Sequence, residues 1–492
     1  MSKICLCLTA NTIAKDLELV EKYRRYIDLV ELRADCLLSS ELESIRRFPE
    51  QADIPVILTV RRKTDGGYFN RGEAARIVLI SKALAFAQTD RRKNFAYVDI
   101  EDDLDIPSLE EVARAFGTRI IRSFHDFDGS GEKFLSRVES LFRVGDEIAK
   151  GAIMPSNIDD VRTVFQAAKS MHGRDTILLA MGDIGQCTRI LAGKFGSYLT
   201  YTSPLYEDES MAAPGQIDPI ELNERYRFRE MNLDTQIYGI TGYPLKITSS
   251  PQIHNDAMKR ERLNTVYLRF PAESFDGFMR LANEIGLCGA SITVPHKKSV
   301  MAYIAEQNPV GIIGACNTIV WTPHGWVGTN TDTIGFSGSL LKVMNRSDFK
   351  RQKMTIIGAG GAARAIVAEA ARLGAKALVL NRNLQKAKEI AERFDFKYAH
   401  LNTASEKLIR KYNDIIVQTT SVGMDPDINK DPLPQYKFTG KETVMDIIYK
   451  PANTKFLSRA IAAGCTAING YDMLLRQAKL QFEFFFNRPF PE

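Results

Sequence analysis

Apolar runs alternate with charged, helix-compatible segments along the first 220 residues. The runs are "ICLCLTA" near residue 5, "LVELRAD" ending at Asp35, "PVILTVR" ending at Arg61 and "AYVDIE" ending at Glu101. They continue with "RIIRSFHDF" ending at Phe127, "IAKGAIM" ending at Met154, "TILLAMG" ending at Gly182 and "SYLTYTS" ending at Ser203. Segments such as "KDLELVEKYRR" and "NIDDVRTVFQAAKSM" lie between most of them. Short apolar runs with polar borders read as buried strands. Eight βα-like units in this length predict an α/β fold of the (β/α)8 TIM-barrel type. An open doubly wound sheet also alternates in this way, and the count favours the barrel. Beyond it, "LNERYRFREMNLDT" (222–235) is charged and lacks strand character, so a linker is expected there. "TQIYGITGYP" then opens a new strand.

The polar residues inside these runs carry the first chemical signal. Arg33, Arg61, Glu101, His125 and Lys150 stand at or near the C-terminal ends of five different strands. Each alone reads as a charged strand end. In a barrel those ends converge on the face where active sites form. Lys150 is enclosed by Ile148, Ala149, Gly151, Ala152, Ile153 and Met154. Lysine is almost never fully buried without a partner. Its side chain either snorkels to water or is a desolvated neutral amine acting as a nucleophile. A neutral lysine attacks a ketone to form an imine, whose protonated form acidifies the adjacent carbon. A histidine then removes that proton and protonates a leaving hydroxyl. Glu101 is expected to orient the histidine, and the arginines to grip a substrate carboxylate.

Composition narrows the setting. A formal charge of +5 is small against 65 basic and 60 acidic side chains, which gives no case for nucleic acid and suits anionic small substrates. The seven cysteines show no metal-ligand spacing, so no metal is expected and a reducing compartment is. Cys5 and Cys7 read as small core residues of the first strand. The N-terminal residues lack the features of a signal peptide, and no apolar stretch approaches the ~20 residues that span a bilayer. A cytoplasmic protein without membrane contact is expected. Nothing in the sequence reports its oligomeric state.

The clearest downstream motif is "KMTIIGAGGAARAIVAEAARLGAKALVLNRN" (353–383). A strand runs into Gly358-x-Gly360-x-x-Ala363, and an alanine-rich helix follows. Such a turn lets the backbone approach a pyrophosphate at the helix N-terminus; Gly361 and Ala362 lie within it. The second strand ends "VLNRN", where NAD sites commonly place an acid. Here Asn381 and Arg382 stand instead, and an arginine suits the 2′-phosphate of NADP. Upstream, "SSPQIHN" (249–255), "SITVPHKK" (291–298), "GACNTIV" (314–320) and "GTNTDTIGF" (328–336) mix hydroxyl, amide and glycine residues. Singly they read as turns, and Asp332 as a helix N-cap. Together they suggest a polyhydroxylated substrate, with a Lys/Asp pair managing the proton that accompanies reduction.

Two families are recognisable in these motifs. "ELRAD" (31–35), "TVR" (59–61), "SFHDF" (123–127), the Lys150 strand, "FGSYLTY" (195–201) and "APGQ" (213–216) resemble type I 3-dehydroquinate dehydratase over residues 1–222. The resemblance implies a Schiff base on Lys150 and a general acid/base in His125. It also implies a pocket lined by Glu31, Arg33, Arg61, Glu101, Arg189 and Gln216. The hydroxyl residue that many relatives carry four positions before the glutamine is Ala212 here, with Ser210 nearby.

The second set of motifs, with "TTSVGM" (419–424), "DIIYKPANTKFL" (446–457) and "NGYDMLLRQA" (469–478), resembles shikimate dehydrogenase. The resemblance implies Lys297 and Asp332 as the catalytic pair, with Thr248 and Ser250 on the substrate carboxylate. It puts Thr293, Asn317 and Gln477 on the ring hydroxyls, and Gly470 beside the NADP site. It also implies a substrate-binding domain over 236–340, a Rossmann NADP-binding domain over 341–470, and a C-terminal helix (471–492) returning to the substrate domain. The linker is then 223–235. Departures from the usual residues stand at Thr248, Ser291, Asn383 and Gln418. Cys316 is expected to pack as a small apolar residue near this pocket.

The whole chain therefore resembles the bifunctional fusion that turns 3-dehydroquinate into 3-dehydroshikimate and then into shikimate. Three rival readings are a non-catalytic metabolite sensor, an NAD-dependent catabolic quinate/shikimate dehydrogenase, and a chain with one active half. Retention of Lys150, His125, Lys297 and Asp332 opposes the first, and Arg382 with no acid opposes the second.

Overall fold

The computed structural model describes residues 2–85, 90–129, 131–143, 146–204, 212–245, 248–305 and 310–492. The eight expected strands form: β1 (Lys3–Leu8), β2 (Leu29–Arg33), β3 (Val56–Thr59), β4 (Tyr97–Glu101), β5 (Arg119–Asp126), β6 (Ile148–Ile153), β7 (Thr176–Ala180) and β8 (Leu199–Thr202). They make one parallel sheet in the order β7-β6-β5-β4-β3-β2-β1-β8. At the closing edge Tyr198 N donates to Thr176 O at 2.8 Å. This is the barrel that the alternation predicts. Side chains of alternate residues point to opposite faces of a strand, so Cys5, Leu29, Ile57, Ile121, Ile148, Ile177 and Leu199 pack together as a core inside it.

The expected linker is packed chain. A helix, Pro219–Glu224, runs into it, Tyr226, Phe228 and Met231 are buried, and Arg227 donates to the carbonyls of Leu263 and Thr265 at 2.9 and 2.7 Å. Next come β9 (Gln236–Gly242), β10 (Thr265–Pro271), β11 (Leu287–Ile292), β12 (Thr318–Thr322) and β13 (Gly325–Thr329). They form a sheet in the order β10-β9-β11-β12-β13, antiparallel at β11–β12 and β12–β13.

The last sheet is parallel: β14 (Lys353–Ile357), β15 (Lys376–Asn381), β16 (Lys397–His400), β17 (Ile415–Gln418), β18 (Thr443–Asp446) and β19 (Thr466–Ile468). Alternation sorts its residues between two cores. Met354, Ile356, Val379, Val417 and Met445 enter one, and Ile357, Leu378, Leu380, Ile416 and Val444 enter the other. The order β16-β15-β14-β17-β18-β19 reverses beside β14, and such a switch point is where open α/β sheets bind ligands. By its contacts the chain divides into two compact units, residues 1–239 with 244–287 and residues 240–243 with 288–492. Among the described residues no helix is long and apolar enough to cross a membrane.

Candidate active sites

In the barrel, register brings the polar strand ends together. Lys150 on β6 pairs with Ser123 of β5, and His125 lies two residues further along the same face. Glu31, Arg33, Arg61, His125, Lys150, Arg189 and Gln216 all line one cavity of about 120 Å³. Glu101 stands behind this wall, bonded to Arg61. Size does not mark the site, because a hollow of about 470 Å³ between Tyr226 and Val266 gathers no such acid–base set.

Lys150 is 4 % exposed, so it does not snorkel. Its burial agrees with the desolvated amine of the sequence reading, and it has acidic partners. Its Nζ donates to Asp99 Oδ2 at 2.7 Å, with Glu31 Oε1 at 3.8 Å and the Tyr201 ring centroid at 4.4 Å. Asp99 also meets Arg61 Nη2 at 3.0 Å and accepts from Ser123 Oγ at 2.5 Å. Burial pushes the Asp99 carboxyl up, but the Arg61 and Lys150 charges override it and hold the group well below the usual carboxylate range. Burial, reinforced by the Arg61 and Lys150 cations, pushes His125 well below its usual value. The imidazole is therefore neutral at neutral pH and competent as a base.

Glu101 does not orient His125. Its two oxygens are bound by Arg61 Nη1 at 2.8 Å and Arg76 Nη1 at 2.6 Å. Arg76 arrives fully buried from the helix Glu73–Leu84, so both oxygens of the carboxylate are taken by guanidinium groups. The Arg33 fork is also taken, by Asp35 at 2.9 and 2.8 Å. Burial lowers the Arg189 guanidinium to about 10. Among the described residues, four polar atoms of the cavity lining are buried without a hydrogen-bond partner: His125 Nδ1, Arg189 Nε, Tyr201 Oη and Gln216 Oε1. Buried polar groups are normally paired, so this cluster marks a place built for a polar ligand.

Three participants escape the sequence reading. Asp99 sits two residues before Glu101 and so shares its face, a signal that was available. Cys7, read as a core residue, lies at 3.1 Å from Glu31 Oε2 and accepts from Gln216 Nε2 at 3.2 Å. Tyr201 lies on β8 with no role assigned from sequence, because residues facing a barrel's core and its pocket share one alternation. Ala212 lines the cavity, its N donating to Ser203 Oγ at 2.8 Å; Ser210 lies outside the described residues.

The second constellation is smaller. Lys297 Nζ meets Asp332 Oδ2 at 2.5 Å. Asp332 opens the helix Asp332–Met344, but Thr331 is its N-cap residue, so the carboxylate serves the lysine rather than the helix end. Asn317, 1 % exposed, donates to Asp332 Oδ1 at 2.9 Å, Thr331 Oγ1 at 3.0 Å and Gln477 Oε1 at 3.3 Å. Its amide thus holds the acid and the glutamine in place. Ser291 Oγ donates to Gln481 Oε1 at 2.8 Å. Thr293 N donates to Thr241 O at 2.9 Å. In the other unit, Thr248 Oγ1 lies 3.2 Å from Ser250 Oγ and accepts from Ser250 N at 3.2 Å. Cys316 is fully buried, its thiol directed to the carbonyls of Thr318 and Thr329 at 3.1 and 3.2 Å.

The glycine-rich turn follows β14 and fits a dinucleotide. Gly358 has φ +117°, and a Cβ there would lie 2.3 Å from Thr419 Oγ1. Among the described residues nothing stands within 4 Å of a Cβ built on Gly360, which leaves room for a phosphate to reach the backbone. The helix Gly361–Arg372 starts there with Ala362 in its first turn, and a Cβ on Gly361 would lie 2.9 Å from the Lys297 side chain. The turn and Lys297 are therefore neighbours. Asn381 Nδ2 donates to Asn383 O at 2.9 Å, Asn383 caps the next helix through Lys386 N at 3.1 Å, and Arg382 is exposed. Gln418 braces the loop after β17 through Thr420 and Val422, and Gly470 packs against Ile447 O. Among the described residues no group of three His, Cys, Asp or Glu is placed to hold a metal ion.

Family models match in the same order as these sites: type I 3-dehydroquinase over residues 4–233, shikimate dehydrogenase substrate binding domain over 240–319, and shikimate/quinate 5-dehydrogenase over 341–448. A chloroplastic bifunctional 3-dehydroquinate dehydratase/shikimate dehydrogenase of Arabidopsis thaliana is 30% identical over 100% of this chain and 83% of its own length. The NADP(+) shikimate dehydrogenase of Methanococcus aeolicus is 37% identical over 51% of this chain and 92% of its own. The crystal structure of shikimate dehydrogenase from Aquifex aeolicus covers 53% of this chain and 96% of its own at 32% identity, with a TM-score of 0.48.

Proposed function

The chain belongs to the family of bifunctional 3-dehydroquinate dehydratase/shikimate dehydrogenases, and from that premise we propose how its residues divide the work. In the barrel, Lys150 passes a proton to His125, its amine adds to the ketone of 3-dehydroquinate, and His125 returns the proton to the former ketone oxygen, which leaves as water to give a protonated imine and a neutral imidazole. Neutral His125 removes a proton from the adjacent carbon and returns it to the hydroxyl one carbon further, which departs as water. Hydrolysis of the imine frees 3-dehydroshikimate and restores the lysine. Asp99 aims Nζ, and Arg189 with Gln216 takes the substrate carboxylate.

In the dehydrogenase half, Thr248 and Ser250 bind the carboxylate of 3-dehydroshikimate. Thr293, Asn317 and Gln477 address its ring hydroxyls. Lys297 donates a proton to the ketone oxygen and regains one from water, while Asp332 holds its Nζ in place. The backbone of Gly358, Gly360, Gly361 and Ala362 would hold the pyrophosphate of NADPH, with Asn381 and Arg382 at its 2′-phosphate and Gly470 beside it. NADPH, when bound, supplies the hydride. Seven free thiols suit a reducing compartment, and we infer a cytoplasmic location.

What carries this reading is Lys150, buried in one cavity with an imidazole that stays neutral. Borohydride added during turnover of 3-dehydroquinate tests it. The expected result is a stable mass gain on the peptide bearing Lys150. An active dehydratase that shows no such adduct would overturn the imine.

A further inference from the structure

Arg269 on β10 belongs to none of the motifs above, yet it bridges a barrel helix and the carbonyl of Leu245. Its side chain is 17% exposed. Nη1 donates to Leu245 O at 3.0 Å. Nη2 donates to Gln186 Oε1 at 2.7 Å and lies 2.9 Å from Asp183 Oδ1. Asp183 and Gln186 sit on the barrel helix Gly182–Ile190, which also carries Arg189 of the barrel cavity. The first residue of that helix, Gly182, donates its N–H to Pro214 O at 3.1 Å. Gly215 packs so closely on Gly182 that a Cβ would lie 2.3 Å from its carbonyl oxygen. The helix is thus tied at one end to the Pro214–Gln216 loop. At the other end of the bridge, Leu245 stands three residues before Thr248. All of these groups lie within one compact unit of the chain.

We propose that Arg269 is a positioning residue that couples the two active sites. The inference rests on the reading above, in which Arg189 and Gln216 bind the first substrate and Thr248 and Ser250 the second. A substrate that draws on Arg189 and Gln216 fixes the helix between them. Through Asp183, Gln186 and the guanidinium fork of Arg269, that helix holds the carbonyl of Leu245, three residues before Thr248 in sequence. A filled barrel therefore favours the geometry that binds the product's carboxylate. Such coupling works only as far as the ligand binds the two arrangements unequally, and it is reciprocal.

The test uses the full-length enzyme with saturating NADPH. The barrel is filled by borohydride reduction of bound 3-dehydroquinate or left empty, and kcat and KM for 3-dehydroshikimate are measured in each state. The filled enzyme should show a KM about fivefold lower with kcat unchanged. In Arg269→Met that difference should vanish, and the KM of the empty enzyme should rise. Gln186→Leu, on the barrel side of the same bridge, should act in the same direction and serves if Arg269→Met does not fold. Equal KM in filled and empty wild type overturns the proposal, as does a difference that persists in Arg269→Met. If no adduct forms, the imine reading fails, and the unfilled variants still decide: an unchanged KM in both overturns the coupling.

Discussion

The barrel site and the dehydrogenase site each rest on a lysine beside an aspartate, but they are held in opposite ways. Lys150 stands at one end of a continuous buried charge network in which Asp99, Arg61, Glu101 and Arg76 alternate in sign. Lys297 and Asp332 are one ion pair braced by the neutral groups of Asn317, Thr331 and Gln477. The difference fits the roles proposed for the two lysines. A lysine that becomes covalently bound changes its charge state deep inside the protein, and fixed charges stabilise such changes most strongly where water is excluded. A lysine that only passes a proton needs orientation, which amides and hydroxyls supply without the cost of burying more charge.

The largest effect is expected where the two sites are separated outright. Lys297→Ala should lower 3-dehydroshikimate reduction by roughly 10²–10⁴-fold while dehydration continues at its usual rate. A parallel loss of both activities would mean the halves are not chemically separate. Next, the two supports should differ in what they do for stability. Asp99→Asn leaves Arg61 and Lys150 short of a buried counter-charge and should cost about 3–5 kcal/mol in urea unfolding of the full chain. Asn317→Ala removes a neutral hub and should cost about 1–3 kcal/mol. Equal costs would erase the contrast.

A pH profile sharpens it further. Burial and the two neighbouring cations disfavour the imidazolium of His125, so the base loses activity only at a pH below its ordinary pKa. Dehydratase kcat/KM should stay level as pH falls through about 6.5 and decline only below it. A declining limb centred at or above 6.5 would contradict the lowered value. The smallest effect belongs to an exposed cation. Arg382→Ala should raise the KM for NADPH about tenfold, or ~1.4 kcal/mol, and leave that for NADH unchanged.

Much of this was legible in the sequence. Eight apolar runs with polar ends foretold the barrel because strand ends in such a fold must converge. The glycine turn after β14 was legible because only that local pattern brings a phosphate to a helix start. What escaped depends on pairing across distance. Arg76 reads as one more charge on a helix until Glu101 arrives from another strand to bury it. The proposed linker carries Tyr226 and Phe228, whose burial depends on what they pack against. Cys7 and Tyr201 share the alternation of core residues, and only the closed barrel shows that their layer faces a cavity.

The central claim is that one chain performs two reactions in order with independent lysines. A coupled assay tests it most directly: purified protein, NADPH and 3-dehydroquinate, following the loss of NADPH. Wild type should consume NADPH. Lys150→Ala should not, and adding 3-dehydroshikimate should restore consumption in full. NADPH loss that continues in Lys150→Ala, or that 3-dehydroshikimate fails to restore, would contradict the account.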